Sequence, residues 1–158
     1  SDKIKLLLNT DFEEIRDDIT YDTLIYTGPA DEYFHYKHGK LKYRSVGFVF
    51  ETHDCESYQD APVVNYPNDY DYTRITEFKK MTWQENKKTT ILKEFPGEGD
   101  EPYYPFPTPD CKAQFALYQE EMKKEKNVYF LGRLAEYRYY NMDAAVRRAL
   151  DLYEEKLR

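Results

Sequence analysis

Four short segments rich in β-branched and aromatic residues follow one another in the middle of the chain, and they constrain its fold more than any other feature. They span 43–52, 61–66, 72–83 and 89–95. Each alternates roughly between apolar and polar residues, and turn-forming residues separate them, as in antiparallel strands that cover a core with one face. The pattern therefore predicts an antiparallel meander.

Further strands and helices are expected on either side of this sheet. Short apolar runs predict strands at 4–8, 23–27 and 127–132. Helical patterns predict helices at 31–39, ending at Gly39, at 110–125, and after Asn141, which is a suitable N-cap. The acidic stretch 11–18 favours a turn or a single helical turn, and the prolines of 96–110 argue against regular structure there. This mixture indicates an α+β fold.

Charge and cysteine usage exclude several classes of function. The chain has 30 acidic and 23 basic side chains, a net charge of -7, which argues against non-specific binding of nucleic acid. It has no run of the roughly 20 apolar residues that a membrane span needs, and no signal peptide. Cys55 and Cys111 stand alone, so we expect a reducing, cytoplasmic compartment. His35 and His38 have the i, i+3 spacing of a metal-binding pair on a helix, but no third ligand has a suitable spacing, and no metal site is predicted.

Tyrosine and arginine are concentrated near the C-terminus, in the segment GRLAEYRYYNM at 132–142. The segment joins a predicted strand to a predicted helix, and a helix N-terminus attracts anions and electron-rich rings. The same residues could instead pack against another domain. Two readings also stay open for Arg74, which either binds a ligand or is an ordinary strand arginine. Tyr103 and Tyr104, held between prolines, could serve recognition or packing.

Five segments, taken in order, resemble the C-terminal portion of the bacterial UDP-galactopyranose mutases. They are IYTGPADEYFHYKHGKLKYRSVGF, APVVNYPNDYDYTRITEFKK, TTILKEFP, GDEPYYPFP and VYFLGRLAEYRYYNMDAAVRRAL. The resemblance runs from about residue 20 to the end of the chain, and several matches in order are more specific than any single motif. It implies an enzyme that interconverts UDP-galactopyranose and UDP-galactofuranose for cell-surface polysaccharides, such as the O-antigen of lipopolysaccharide.

The resemblance also implies FAD as the cofactor, acting in its reduced form with N5 as the nucleophile. The family begins with a GxGxxG dinucleotide fold and has a mobile helical domain with a further arginine for the diphosphate, and this sequence contains neither. We therefore expect a C-terminal fragment that binds FAD poorly and is inactive alone. Aromatic surface meant for the other domains would be exposed and would favour self-association.

Residue roles follow from the same resemblance. Arg74, Tyr104 and Tyr139 would bind the diphosphate of the UDP-sugar, with Asn65 beside the substrate and Glu94 near the sugar.

On the cofactor side, Arg133 would contact FAD, Asn141 and Met142 would face the flavin ring, and Thr27 and Gly28 would line the site through their backbone. The family usually has Asp where this chain has Asn141.

The implied domain organisation has three parts. Residues 1–30 would adjoin the FAD domain, 31–126 would form the sheet domain with the helix at 110–125, and 127–158 would be the last strand and helix of the FAD domain. The alternative functions are a non-catalytic sugar-nucleotide or glycan-binding module on the same sheet, and a structural or dimerising domain.

Overall fold

The computed structural model describes residues 3–97 and 101–158 and confirms the α+β class. The strands are β1 (Leu24–Tyr26), β2 (Tyr43–His53), β3 (Val63–Asn65), β4 (Arg74–Glu77), β5 (Thr89–Gly97), β6 (Tyr104–Pro105) and β7 (Val128–Phe130). The helices are α1 (Phe12–Ile15), α2 (Ala30–Tyr33), α3 (Phe78–Thr82), α4 (Pro109–Met122) and α5 (Met142–Leu152), the last continued by a π-helical turn over Tyr153–Leu157.

The chain divides into two units. The first comprises the segment up to Leu41 together with Pro107–Arg158, and the second comprises Lys42–Phe106. A parallel pair of strands, β1 and β7, lies in the first unit, whereas the second contains a five-stranded antiparallel sheet in the order β3-β4-β5-β2-β6. The predicted assignment of the terminal segments to a larger FAD domain stays a prediction.

The sheet of the second unit is antiparallel as expected, but only β3, β4 and β5 form a simple meander. The longest pairing joins β2 to β5, from Ser45 opposite Gly97 to His53 opposite Thr89. These two strands are the longest of the sheet, so pairing them satisfies the most backbone hydrogen bonds. The strand β2 therefore lies between β5 and β6 and has no contact with β3 in the ladder.

Two predictions for this unit are wrong, one on the end of a strand and one on the region 96–110. The strand predicted at 72–83 ends at Glu77, and the chain turns into α3 until Trp83, whose backbone is left-handed at φ 57°. The region 96–110 is not wholly irregular, because β5 extends to Gly97 and Tyr104–Pro105 pairs with β2. Proline is compatible with β6 because an edge strand has one side without ladder bonds.

Glu77 lies at the end of β4 and is fully buried. Its carboxylate accepts hydrogen bonds from Thr89 Oγ1 at 2.7 Å and from the backbone N–H groups of Tyr58 and Gln59 at 3.1 and 3.2 Å. Burial opposes its ionisation, but these hydrogen bonds outweigh it and hold the pKa of Glu77 below its ordinary value. Leaving a buried donor without its partner costs about 1–3 kcal/mol, so Glu77 fastens the 54–62 segment to the sheet.

Aromatic rings form the core of the first unit. Tyr26, Tyr33 and Phe130 contact one another with ring centroids 4.9 to 6.0 Å apart, in the tilted and edge-on arrangements that aromatic quadrupoles favour. The guanidinium of Arg16 lies 4.3 Å from the centre of the Tyr33 ring and donates to the Tyr33 carbonyl at 2.8 Å. The tyrosines of this unit therefore serve partly as core residues.

The helix predicted at 31–39 is shorter than expected and ends at Tyr33. His35 and Tyr36 follow with left-handed backbone, at φ 49° and 56°, so the helix cannot continue through them. The segment is held by α4 instead, where the hydroxyl of Tyr118 donates to the Gly39 carbonyl at 2.7 Å and accepts from the His38 N–H at 3.1 Å.

The strand predicted at 4–8 does not form. This segment lies within the described part of the chain, has no strand partner, and exposes Ile4, Leu6 and Leu8. An apolar run becomes a strand only when a neighbouring strand pairs with it, and β1 pairs with β7 instead. Among the residues that the structure describes, none of the helices combines the length and apolar composition needed to cross a bilayer.

Glu121 on α4 gives the first unit a stability that depends on pH. Its carboxylate is 3.0 Å from Lys37 Nζ, 3.1 Å from Lys124 Nζ and 3.4 Å from His38 Nε2. The hydrogen bonds from Lys37 and Lys124, with a smaller contribution from His38, lower the pKa of Glu121 from 4.5 to about 2. The unfolded chain therefore takes up this proton at a higher pH than the folded chain does, and the stability due to Glu121 is lost as the pH falls from 4.5 towards 2.

We expect Glu121→Gln to lower the melting temperature at pH 7 and to reduce the further loss of stability between pH 4.5 and pH 2. Thermal unfolding followed by circular dichroism across this range measures both effects. Glu120→Gln is the matched control, because Glu120 precedes Glu121 on α4 and its side chain is 65% exposed. If the melting temperatures of the unaltered chain and of Glu121→Gln fell equally between pH 4.5 and pH 2, the assignment of this pH dependence to Glu121 would be contradicted.

Candidate functional site

A row of three polar side chains crosses the sheet of the second unit. Asn65 on β3 lies opposite Arg74 on β4, and Arg74 lies opposite Glu94 on β5. Residues directly opposite each other in an antiparallel sheet share a face, so the three side chains meet. Arg74 Nε donates to Asn65 Oδ1 at 3.0 Å, and Arg74 Nη1 donates to Glu94 Oε2 at 3.4 Å. The guanidinium is therefore held from both neighbouring strands.

Arg74 and Glu94 line a cavity of about 230 Å³, together with Arg44, Thr73 and Tyr104. Tyr104 reaches it from β6, where it pairs with Arg44 of β2. Pockets that enclose a whole drug-sized ligand have roughly 300–1,000 Å³, so this cavity suits one part of a larger ligand. Among the described residues that line it, two guanidinium groups and one carboxylate give a formal positive charge, in a chain whose net charge is -7.

The structure thus brings together four residues predicted for the substrate: Arg74, Glu94 and Tyr104 at the cavity, with Asn65 holding Arg74. It adds Arg44, which the sequence analysis did not single out. The alternation of 43–52 could have assigned Arg44 to one face of its strand, but its neighbour Tyr104 comes from a proline-rich segment that was not expected to pair. The binding roles themselves stay predictions.

The residues predicted for the cofactor lie in the first unit, around the carboxyl ends of β1 and β7. Tyr26 and Phe130 form the last pair of these parallel strands. Thr27 and Gly28 follow the first strand, and Arg133 follows the second. Carboxyl ends of parallel strands share one edge, where open α/β sheets place their ligands. A Cβ at position 28 would lie 2.5 Å from the Tyr26 hydroxyl, so a side chain there would require the buried Tyr26 ring to move.

Arg133 is positioned by the segment between β7 and α5. Its Nη2 donates to the Tyr140 carbonyl at 2.7 Å, and its guanidinium carbon lies 5.1 Å from the centre of the Tyr139 ring. Tyr139, predicted to share the diphosphate with Arg74, therefore lies beside the arginine predicted for the cofactor. Its hydroxyl role stays a prediction.

Glu136 organises the same segment. Its carboxylate accepts from the Gly132 N–H and from Arg148 Nε, both at 2.9 Å. Burial, with the nearby charge of Glu136, raises the pKa of Tyr140. The turn that presents Arg133 is thus tied at its beginning to the closing helix α5.

The helix α5 begins at Met142, with Asn141 in the predicted N-cap position. The Asn141 carbonyl accepts from the Ala145 N–H, but its side chain does not make the capping hydrogen bond that the sequence suggested. Met142 is 87% exposed. A helix N-terminus provides backbone donors and a partial positive charge, so this end, with the Arg133 guanidinium, is chemically suited to the electron-rich edge of a flavin.

A family model described as UDP-galactopyranose mutase matches residues 1–139. Among curated proteins, a dTDP-fucopyranose mutase of Escherichia coli is 34% identical over 144 residues, 88% of this chain and 38% of that protein. A probable UDP-galactopyranose mutase of Klebsiella pneumoniae is 36% identical over an alignment of 162 residues, which covers 99% of this chain and 41% of that protein. A UDP-galactopyranose mutase of Mycoplasma pneumoniae is 36% identical over 143 residues, which cover 85% of this chain and 36% of that protein.

The chain spans about two fifths of the length of these relatives. The family match nevertheless runs from the first residue through the whole antiparallel sheet, and it includes the row formed by Asn65, Arg74 and Glu94. The chain therefore belongs to the UDP-galactopyranose mutase family.

Proposed function

We propose that this chain supplies the diphosphate-binding part of a flavin-dependent mutase that interconverts UDP-galactopyranose and UDP-galactofuranose for surface polysaccharides, including lipopolysaccharide O-antigen. The supporting observation is the Arg74 guanidinium, held by Asn65 and Glu94 at a cavity that Tyr104 also lines. An arginine oriented in this way suits a phosphate group better than a lysine does, because its planar fork donates two parallel hydrogen bonds.

Charge development during the reaction gives Arg74 its role. When the bond between the anomeric carbon and the diphosphate breaks, negative charge accumulates on the departing UDP. A guanidinium that is already oriented stabilises this charge without reorganisation, and the Tyr104 and Tyr139 hydroxyls add hydrogen bonds to the same group. Glu94 lies towards the sugar, and Asn65 lies beside the substrate.

The cofactor of the proposed mutase is reduced FAD, which supplies the nucleophile for the anomeric carbon when it is bound. Arg133 would contact it, Asn141 and Met142 would face its ring, and Thr27 and Gly28 would line the site through their backbone. Support comes from the exposed N-terminus of α5. The three predicted parts, 1–30, 31–126 and 127–158, remain our proposal for how the chain is divided between the FAD domain and the sheet domain.

The substrate class is a nucleoside diphosphate hexose. The relatives are named for UDP-galactopyranose and for dTDP-fucopyranose, which share the diphosphate and differ in base and sugar. We assign UDP-galactose because the family model and the other relatives carry that name. A cytoplasmic location is supported by the free thiols of Cys55 and Cys111, since unpaired cysteines are typical of reducing compartments.

UDP binding tests the role of Arg74. Arg74→Ala should weaken UDP affinity of the chain by about tenfold or more, because a hydrogen bond to a charged group contributes more than one between neutral groups. Arg74→Lys should keep part of the affinity, since it keeps the charge and loses the fork. Isothermal titration with UDP measures both, with Lys88→Ala as the control for loss of a surface cation paired to Asp54. Equal affinities for all four proteins would contradict the proposal.

Another prediction concerns catalysis. The 158-residue chain, supplied with reduced FAD and UDP-galactopyranose, should form no UDP-galactofuranose, because it spans about two fifths of its relatives. Chromatography of the nucleotide sugars detects the product. Turnover by the purified chain would show that these residues suffice for the whole site.

A further prediction concerns self-association through exposed aromatic surface. In the second unit Trp83 is 89% exposed and Phe50 is 64% exposed, with Phe50 stacked on Phe78 at 6.2 Å. Sedimentation velocity should show association that grows with micromolar concentration, and Trp83→Asn should reduce it. Asparagine tolerates the left-handed backbone at this position, so the substitution tests the ring and spares the turn. A monomer at every concentration would exclude this proposal.

A further inference from the structure

Arg44 is a second cation at the cavity. Within residues 3–97 and 101–158, no carboxylate forms an ion pair with it, and its guanidinium lies 5.1 Å from the centre of the Phe106 ring. Arg74, the other arginine of the cavity, is already paired with Glu94. The formal positive charge of the cavity therefore comes from Arg44.

The sheet places Arg44 on the face that bears the row of Arg74 and Glu94. Side chains alternate along a strand, so Arg44 shares a face with Val46 and Phe48. Phe48 lies directly opposite Glu94 in the β2–β5 ladder. The pairing of Arg44 with Tyr104 adds a hydroxyl-bearing neighbour from β6. Stacking on Phe106 restricts the side chain, so less entropy is lost when the guanidinium binds a ligand.

We propose that Arg44 is a second anion-binding residue of the cavity and that it binds one phosphate of a nucleoside diphosphate, while Arg74 binds the other. The inference rests on the proposed function, since it takes the diphosphate as the ligand. Each phosphate of a nucleotide sugar carries one negative charge. With Arg74 offset by Glu94, a site without Arg44 would be close to neutral, and Arg44 provides the net charge that attracts the ligand.

The size of the cavity agrees with this division. At about 230 Å³ it falls below the roughly 300–1,000 Å³ of pockets that enclose a complete ligand of drug size. The phosphates are the part of a nucleotide sugar that is both compact and charged. The base and the sugar would then extend beyond the cavity, and the affinity contributed by Arg44 would depend on the phosphates and be independent of the base.

Titration of the full chain with three probes tests the proposal: UDP, inorganic pyrophosphate and uridine, at low ionic strength to limit screening. The variants are Arg44→Ala and Arg44→Gln, with Lys88→Ala as the matched loss of an exposed cation in the same unit. Both Arg44 variants should weaken UDP and pyrophosphate binding about tenfold, with no change for uridine, whereas Lys88→Ala should leave all three within about twofold. Backbone amide NMR spectra of each variant establish that the sheet is intact.

The outcomes separate this inference from the proposed function. UDP binding that falls with Arg74→Ala and not with Arg44→Ala overturns the role of Arg44 and leaves the mutase proposal standing. Pyrophosphate binding that needs Arg44, in a chain with no preference for UDP over pyrophosphate, supports the anion site and counts against a nucleotide-sugar site. If the unaltered chain binds neither UDP nor pyrophosphate at low ionic strength, the role of Arg44 is overturned.

Discussion

The pairing of β2 with β5 is the interaction on which the sheet unit depends. The pairing runs for nine residue pairs. It joins β3 and β4, which lie beyond β5, to β6, which lies beyond β2, and so determines which of their side chains share a face. A slip of one residue in this pairing would place Arg44 and Phe48 on the face opposite to Glu94, and Arg44 would leave the cavity. The strand register therefore determines the geometry of the cavity, and the identity of each side chain matters only once that register is set. Glu77 stabilises the neighbouring β4–β5 pairing, because its carboxylate accepts a hydrogen bond from Thr89 at the beginning of β5.

The two units use aromatic residues differently. In the first, rings such as Tyr33 are buried against one another and against Arg16, so their number reflects a core built from aromatic contacts in place of aliphatic ones. In the second, Phe48 and Phe50 remain exposed on the face that also bears Arg74. The surplus of tyrosine and phenylalanine in the sequence therefore has two physical origins, and composition alone cannot separate them.

Much of the fold could be predicted because its strands follow local rules. The segments 43–52 and 89–95 alternate clearly and became β2 and β5, and the short apolar run before Thr27 became β1. The helix at Phe78 was missed because the residues after Glu77 continue a strand-like composition, and the left-handed backbone at Trp83 has no local signal in the sequence. At the cavity, Arg74, Glu94 and Asn65 came from the family resemblance, whereas Arg44 required the pairing of β2 with Tyr104, a long-range contact that no local pattern encodes.

Proline marks both borders of the five-stranded sheet. The edge strand β6 contains Pro105 and is only two residues long, and the opposite edge strand β3 is preceded by Pro62 and followed closely by Pro67. A proline has no N–H to donate, and a very short edge offers few free backbone groups to an incoming chain. Growth by strand addition is therefore unfavourable at β3 and β6, whereas β6 covers β2 only at Tyr43 and Arg44. Among the described residues, the rest of β2 is paired on one side only, by β5, so this is the backbone edge that an added strand would use.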